Sequence, residues 1–313
     1  MFPIKMLCRV MDVTTSGYYA WSRREESPRS RANRRLLVQI RALHAQSKQA
    51  YGSPRMHRGL QEAGERCGRN RVARLMQQDG LRGKKRRRFV RTTKAHPTRP
   101  AAPNLLARQF TVDAPDRVWV SDITYLRAVD GWLYLAVVLD LFARRVVGYG
   151  LGHRITAALV LTALRMALAR RGPSAGLIFH SDRGSQFSCQ SVQRELDKHG
   201  LIASMSRKGD CYDNAVAESF FDSLKTECDI EGLLRVELAA AVAQYIDGFY
   251  NTWRLHSTIG YQSPAAYERR YHEALGGLPS LREEGAPIRV PVAVRKTGVP
   301  LVGGGGLFMH VSY

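Results

Sequence analysis

Three carboxylates, Asp122, Asp182 and Glu218, fall in segments of three different types. Asp122 lies in the alternating, strand-like run Val118-Trp119-Val120-Ser121-Asp122-Ile123-Thr124-Tyr125. Asp182 closes the apolar run Leu177-Ile178-Phe179-His180-Ser181, and Glu218 sits in a helix-like stretch from Asp213 to Glu227. Thirty-five residues separate the last two acids. Phosphodiester bonds resist attack because the charged phosphate repels nucleophiles and the alkoxide leaves poorly. Two divalent ions about 4 Å apart overcome both problems in an in-line displacement. Holding such ions takes clustered carboxylates, which repel one another unless the cations are present. The expectation is therefore a metal site in which the three acids converge within coordination distance of two Mg²⁺ ions, with Mn²⁺ as a substitute. Seven residues past Glu218 on a helix is about 700°, close to two full turns, so Lys225 shares its face and would meet the same phosphate. Taken singly, these acids read as a strand-end polar residue, a turn former and a solvated helix residue. It is their joint occurrence with Lys225 that carries chemistry.

Charge is unevenly spread around these positions. The formal net charge is +21; residues 1–108 hold 26 Lys or Arg against 6 Asp or Glu, and residues 109–313 hold 22 against 21. A basic arm attached to a nearly neutral domain is suited to a polyanion, because cations displace the counterions of a phosphate backbone. The densest stretch, RGKKRRRFVR from Arg82 to Arg91, makes Lys84, Lys85, Arg86, Arg87 and Arg88 candidate DNA contacts. No apolar run reaches membrane-spanning length, and no leader is expected at Met1 to Val13. Five scattered cysteines without a C-x-x-C pair point to a reducing compartment and away from structural zinc.

The elements needed to position the acids can be read from periodicity. Met6 to Ala20 reads as a helix interrupted by a turn and cap at Thr14 to Gly17. Asn33 to Ser47 is an amphipathic helix, Ser53-Pro54 starts another that ends at Gly64, and Asn70 caps a third that ends before Gly80. The last two resemble a helix-turn-helix. Prolines 97, 100 and 103 mark a boundary. Strands follow at Val118 to Arg127, Leu133 to Phe142 and Arg145 to Leu151. A helix at Ile155 to Arg171, a strand at Leu177 to His180, a helix at Cys189 to His199, a strand at Leu201 to Met205 and the Glu218 helix complete the series, with a further helix at Glu237 to Tyr250. That order predicts an α/β fold. It is a mixed five-stranded sheet with flanking helices, RNase H-like, preceded by a small all-α helix-turn-helix-like domain. The expected divisions are a helical region at 1–80, a basic linker at 81–108, a catalytic core at 109–230, C-terminal helices completing it at 231–271, and a flexible tail at 272–313.

Four segments also resemble a known family. WVSDITYL at Trp119 to Leu126, HSDRGSQF at His180 to Phe187, SRKGDCYDNAVAESFFDSLKTE at Ser206 to Glu227, and YNTWRLHSTIGYQSPAAYE at Tyr250 to Glu268 resemble the second-reading-frame transposases of the bacterial insertion sequence 3 family. The core of those proteins is related to retroviral integrases, and the likeness covers roughly residues 5–270. It implies that Asp122, Asp182 and Glu218 are the metal-binding acids, that Lys225 is the helix lysine, and that Gln186 could reach DNA. It also implies cleavage at the element's terminal inverted repeats to free a 3′-hydroxyl, attack of that hydroxyl on another phosphodiester, and an excised circle that later inserts into target DNA. Assembly as a homo-oligomer on double-stranded DNA, a first-reading-frame product as fusion or partner, and residence in the bacterial cytoplasm at the nucleoid belong to the same expectation. His180, Trp253, His256 and Tyr261 are expected to pack rather than touch substrate, and Asp140 is not expected to be a fourth ligand. The competing expectations are a nuclease of the same fold that does not join strands, and a non-catalytic DNA-binding regulator.

Overall fold

The structure is a computed structural model that describes residues 2–84, 102–107, 109–207 and 214–276. Lys85, Arg86, Arg87, Arg88, Cys211, Asp213 and residues 277–313 of the expected tail lie outside the described residues.

The basic arm begins as five helices. Instead of one interrupted helix, Met6 to Ala20 forms parts of two, α1 (Ile4–Val10) and α2 (Thr15–Ser22), because the Thr14 hydroxyl accepts the Gly17 N–H and starts a new helix. The third, α3 (Pro28–Gln46), starts five residues earlier than Asn33. Ser27 accepts the Ser30 N–H there, and Pro28 occupies a first-turn position where its missing N–H costs nothing. Next come α4 (Ser53–Glu62) and α5 (Arg69–Gln78), whose cap is Gly68 rather than Asn70. Leu36 and Ile40 of α3, Met56 and Leu60 of α4, and Val72, Leu75 and Met76 of α5 are buried together.

The sheet has the order β3-β2-β1-β4-β5. The antiparallel meander β1 (Val118–Ala128), β2 (Gly131–Asp140) and β3 (Arg145–Gly152) is followed by β4 (Ile178–Ser181) and β5 (Ile202–Met205), both parallel to β1. Between β3 and β4 runs α6 (Ala157–Arg171), and between β4 and β5 runs α7 (Gln190–Lys198). After β5 come α8 (Ala215–Glu227), α9 (Arg235–Tyr245) and α10 (Pro264–Ala274). One sheet face, with Trp119, Ala136, Val138 and Val147, is covered by α6 and α7. The other, with Val118, Val120, Leu126 and Leu135, packs against α8, α9 and the helical arm in one continuous core. Gly148 of β3 explains how closely α6 approaches: a Cβ there would stand 2.2 Å from the Ala163 carbonyl oxygen and 2.7 Å from the Ala167 nitrogen.

The expected helix from Glu237 to Tyr250 is α9 followed by a wider π turn, Ile246–Tyr250. That extra width turns Ile246, Phe249 and Tyr250 inward together and delivers Asn251 to β3, where its amide exchanges two 2.9 Å hydrogen bonds with the backbone of Val146. The segment is locked to α8 by buried charge. The Arg254 guanidinium donates to both Glu227 oxygens at 2.7 Å and to Ser223 Oγ at 2.9 Å, and the Tyr245 hydroxyl donates to Glu227 at 2.8 Å. The helical arm joins the same knot, since the buried Tyr51 hydroxyl donates to the Trp253 carbonyl and accepts the Leu255 N–H at 2.8 Å. Trp253 and His256 thus pack as expected, and Tyr261 stacks beneath Arg58.

Asp140 serves the fold. One of its oxygens accepts the Asp116 N–H at 2.6 Å and the other the Phe142 N–H at 2.8 Å, while burial raises its pKa to about 7. Among the described residues all four cysteines are free thiols, and no helix is long and apolar enough to cross a membrane.

Two stability outcomes follow from this packing. Gly148→Ala must push backbone against backbone, so it should cost about 1–3 kcal/mol in urea unfolding; an unchanged midpoint would show that α6 can slide away. Arg254→Met leaves the buried Glu227 carboxylate with only the Tyr245 hydroxyl and a cation 3.7 Å away on Arg55, and should cost about 3–5 kcal/mol, much of it recovered when Glu227→Leu is added.

Candidate active site

The parallel pairing of β1 with β4 aligns Ser121 with Ser181. The next residue of each chain is an aspartate, so Asp122 and Asp182 are adjacent as the two strands leave their shared register. The sheet's hydrogen bonding enforces this proximity, and both side chains are half buried. Each spends an oxygen on a backbone donor: Asp122 accepts the Ile123 N–H at 2.7 Å, and Asp182 accepts the Gly184 N–H at 2.9 Å. Gly184 leaves room for both side chains of that turn, because a Cβ would lie 2.9 Å from Asp182 Oδ1 and 3.0 Å from Gln186 Oε1 and would make them shift. The same contact puts Gln186 in the turn that follows Asp182.

Glu218 comes from the first turn of α8, where the helix N-terminus favours negative charge. Asn214 occupies the cap, but its side chain makes no capping bond. Its amide donates instead to the Ser121 carbonyl at 3.4 Å, tying the start of α8 to the residue before Asp122. Sequence reasoning missed this tie, and the only signal for it was an Asn at a helix start. Two turns further along α8, the ammonium of Lys225 lies 5.2 Å over the Tyr125 ring.

Electrostatics joins these residues. Burial raises the Asp122 pKa well above the usual carboxylate range, and the charges of Asp182 and Glu218 push it further, against the Ile123 N–H and Lys225. Asp182 is raised by burial and eased by the Gly184 N–H. Burial lowers Lys225, while Asp222 and Asp122 pull it back up. Asp122 therefore senses both other acids, yet among the described residues no three His, Cys, Asp or Glu side chains are gathered closely enough to hold a metal ion. The expected convergence is thus partial. The backbone brings the charges into one neighbourhood, and the like-charged side chains stand apart within it, the two aspartates turned to local N–H donors.

The other candidates sort clearly. His180 is fully buried between Ser204 Oγ at 2.9 Å and Ser206 Oγ at 3.2 Å, as expected of a packed residue. Lys84 lies at the far end of α8, donating to the Glu227 carbonyl at 3.2 Å and to Asp229 at 2.6 Å. Missing from the sequence reading was an open groove along β1 lined by Tyr125, Arg127 and Trp132.

Comparison with known proteins agrees with this architecture. The integrase core domain family matches residues 112–211 and, in a second description, residues 199–264; an HTH-like domain family matches residues 31–89. The chain is 43% identical over 269 residues to an uncharacterized 31 kDa protein of insertion element IS600 from Shigella sonnei, covering 85% of this chain and 99% of that one. It is 42% identical over 274 residues to the transposase InsF of insertion sequence IS3A from Escherichia coli K12, covering 86% and 95%. Among solved structures it is similar to the HTLV-2 integrase catalytic core domain in complex with magnesium, at 16% identity and a TM-score of 0.38, covering 50% of this chain and 97% of that one. A simian T-cell lymphotropic virus intasome in complex with a PP2A regulatory subunit aligns at 15% identity and a TM-score of 0.42, covering 80% and 79%. An integrase-type core, an HTH-like arm and near end-to-end similarity to an insertion-element transposase make one assignment: the chain belongs to the IS3 family of transposases, DDE-type enzymes that move DNA.

Proposed function

We propose that Asp122, Asp182 and Glu218 are the catalytic, metal-binding carboxylates of this transposase, holding two Mg²⁺ ions that Mn²⁺ can replace. The observation that carries this reading is the Ser121↔Ser181 register together with the Asn214 tie, which bring Asp122, Asp182 and the start of the Glu218 helix into one neighbourhood. The donor set suits the ions: hard oxygen ligands from three separate elements, with a raised Asp122 whose charged form a divalent cation would favour. When bound, paired ions activate the attacking oxygen and stabilise the leaving one. The chain's own residues do the rest. The two strands and α8 fix the acids on a rigid frame, so that little reorganisation is needed as charge develops. Lys225 directs a positive charge to the same side as Glu218, against the scissile phosphate, and Gln186 offers an amide from the Asp182 turn. No serine or tyrosine is needed as a covalent nucleophile. A freed 3′-hydroxyl at the element's end is the nucleophile for joining.

In this reading the HTH-like arm and the basic run grip double-stranded DNA, with Lys84, Lys85, Arg86, Arg87 and Arg88 meeting phosphates of the terminal inverted repeats or target. Two ends must meet for transfer, which favours a homo-oligomer on DNA, with a first-reading-frame product as fusion or partner. The protein then works at the nucleoid in the cytoplasm.

Glu218→Gln removes a ligand charge while preserving shape. Nicking and joining of a labelled element end should both fall by roughly a thousandfold or more, as several kcal/mol of charge stabilisation disappear, with gel retention of the DNA nearly unchanged. An unaltered reaction would take Glu218 out of the mechanism. Replacing Lys85, Arg86, Arg87 and Arg88 with Gln should make the salt dependence of DNA affinity shallower, by about 0.9 in log–log slope for each phosphate that these side chains neutralise. An unchanged slope would assign that run to another task.

A further inference from the structure

Strand β1 outruns its parallel partner. Pairing with β4 stops at Ser121↔Ser181, whereas β1 continues to Ala128 with β2 alone beside it. From Tyr125 onward, a groove of about 780 Å³ lies between this stretch and the C-terminal end of α8 with residues 228–232. Its far end is closed where the Val129 N–H meets the Leu233 carbonyl at 2.9 Å.

The groove wall is unusual in its chemistry. Tyr125 and Trp132, 37% and 42% exposed, meet edge to face with centroids 5.3 Å apart. The Lys225 ammonium stands 5.2 Å over the Tyr125 ring and the Arg127 guanidinium 5.7 Å over Trp132. Of the carboxylates along the opposite wall, Asp229 is paired with Lys84 at 2.6 Å, and Glu231 completes the lining. None of the three acids lines the groove; Lys225, two turns along α8 from Glu218, is the lining residue that shares their helix. Aromatic faces flanked by cations suit a ligand that is flat on one side and anionic on the other. A nucleotide is such a ligand, and the volume falls within the roughly 300–1,000 Å³ of small-molecule sites. A paired base shows only its edges, so the base must be unpaired to stack.

We infer that this groove is a subsite for an unpaired nucleotide next to the reacting phosphate, with the base against Trp132 and Tyr125 and the backbone toward Arg127 and Lys225. It rests on the transposase reading and adds to it a requirement that the DNA end open. Neither the acids nor the basic arm supplies that feature.

The test uses the full chain and two DNAs of arbitrary sequence, a short blunt duplex and the same duplex with a short single-stranded extension carrying 2-aminopurine. The wild-type chain should bind the extended DNA roughly five- to a hundredfold tighter, the range for one base stacked on an aromatic ring, with a change in 2-aminopurine emission. Trp132→Ala should erase the preference and the emission change while leaving blunt-duplex affinity within about twofold; Trp132→Phe should keep most of both. Equal binding of the two DNAs by the wild-type chain, or a preference that survives Trp132→Ala in a protein that still melts cooperatively, overturns the subsite and leaves the transposase reading standing. If the wild-type chain retains neither DNA, the DNA reading itself fails along with the subsite.

Discussion

Repulsion between carboxylates that the backbone will not let separate is the constraint on which the rest of this molecule depends. The β1–β4 pairing places two aspartates side by side because each follows a serine in the same register pair. Hydrogen bonds along a sheet are stiff compared with side-chain torsions, so the backbone holds while the carboxyl groups turn to local N–H donors. Burial first, and the charges of Asp182 and Glu218 after it, raise the affinity of Asp122 for a proton. Sites that tolerate such a cost are commonly those where a cation, a proton or a substrate relieves it during function.

Much of the surrounding fold reads as support for that arrangement. Asn214 gives up its capping bond to tie α8 to β1, leaving one of its own buried oxygens without a partner. Glu227, at the other end of α8, is held by Arg254 and Tyr245, so the helix is fixed at both termini. Between them, Phe220, Phe221 and Leu224 are buried against the sheet. Glu218 is therefore on a helix whose position is overdetermined. The freedom left to the site lies in side-chain rotation, not in the frame.

Legibility from sequence followed the range of the interactions involved. Asp122, Asp182, Glu218 and Lys225 could be picked out because periodicity assigns their elements and helix geometry assigns their face. The five strands, the meander and the crossover helices were likewise local signals. What escaped depends on distant partners or on small differences in length. The α3 start at Ser27 was hidden by the polar Arg-rich turn that follows it, where no apolar stripe marks the helix. The π turn after α9 is set by the demand of Val146 for Asn251, 105 residues away. The groove exists because β4 is four residues long and β1 eleven, a mismatch that neither segment shows alone. Likewise Trp132 acquires its setting only from its diagonal neighbour Tyr125 and its cross-strand partner Arg127.

The Tyr51 hydroxyl, giving one bond to the stretch after the π turn and taking another from it, changes how the basic arm should be pictured. It is not a reading head on a leash. Its inner wall is shared with the catalytic half, so Tyr51 sets the arm directly against the stretch that carries the Arg254–Glu227 knot at the base of α8. The arm is thus seated on the far end of the helix that carries Glu218, through the Tyr51 phenol, the Arg55–Glu227 contact and the Lys84 ammonium.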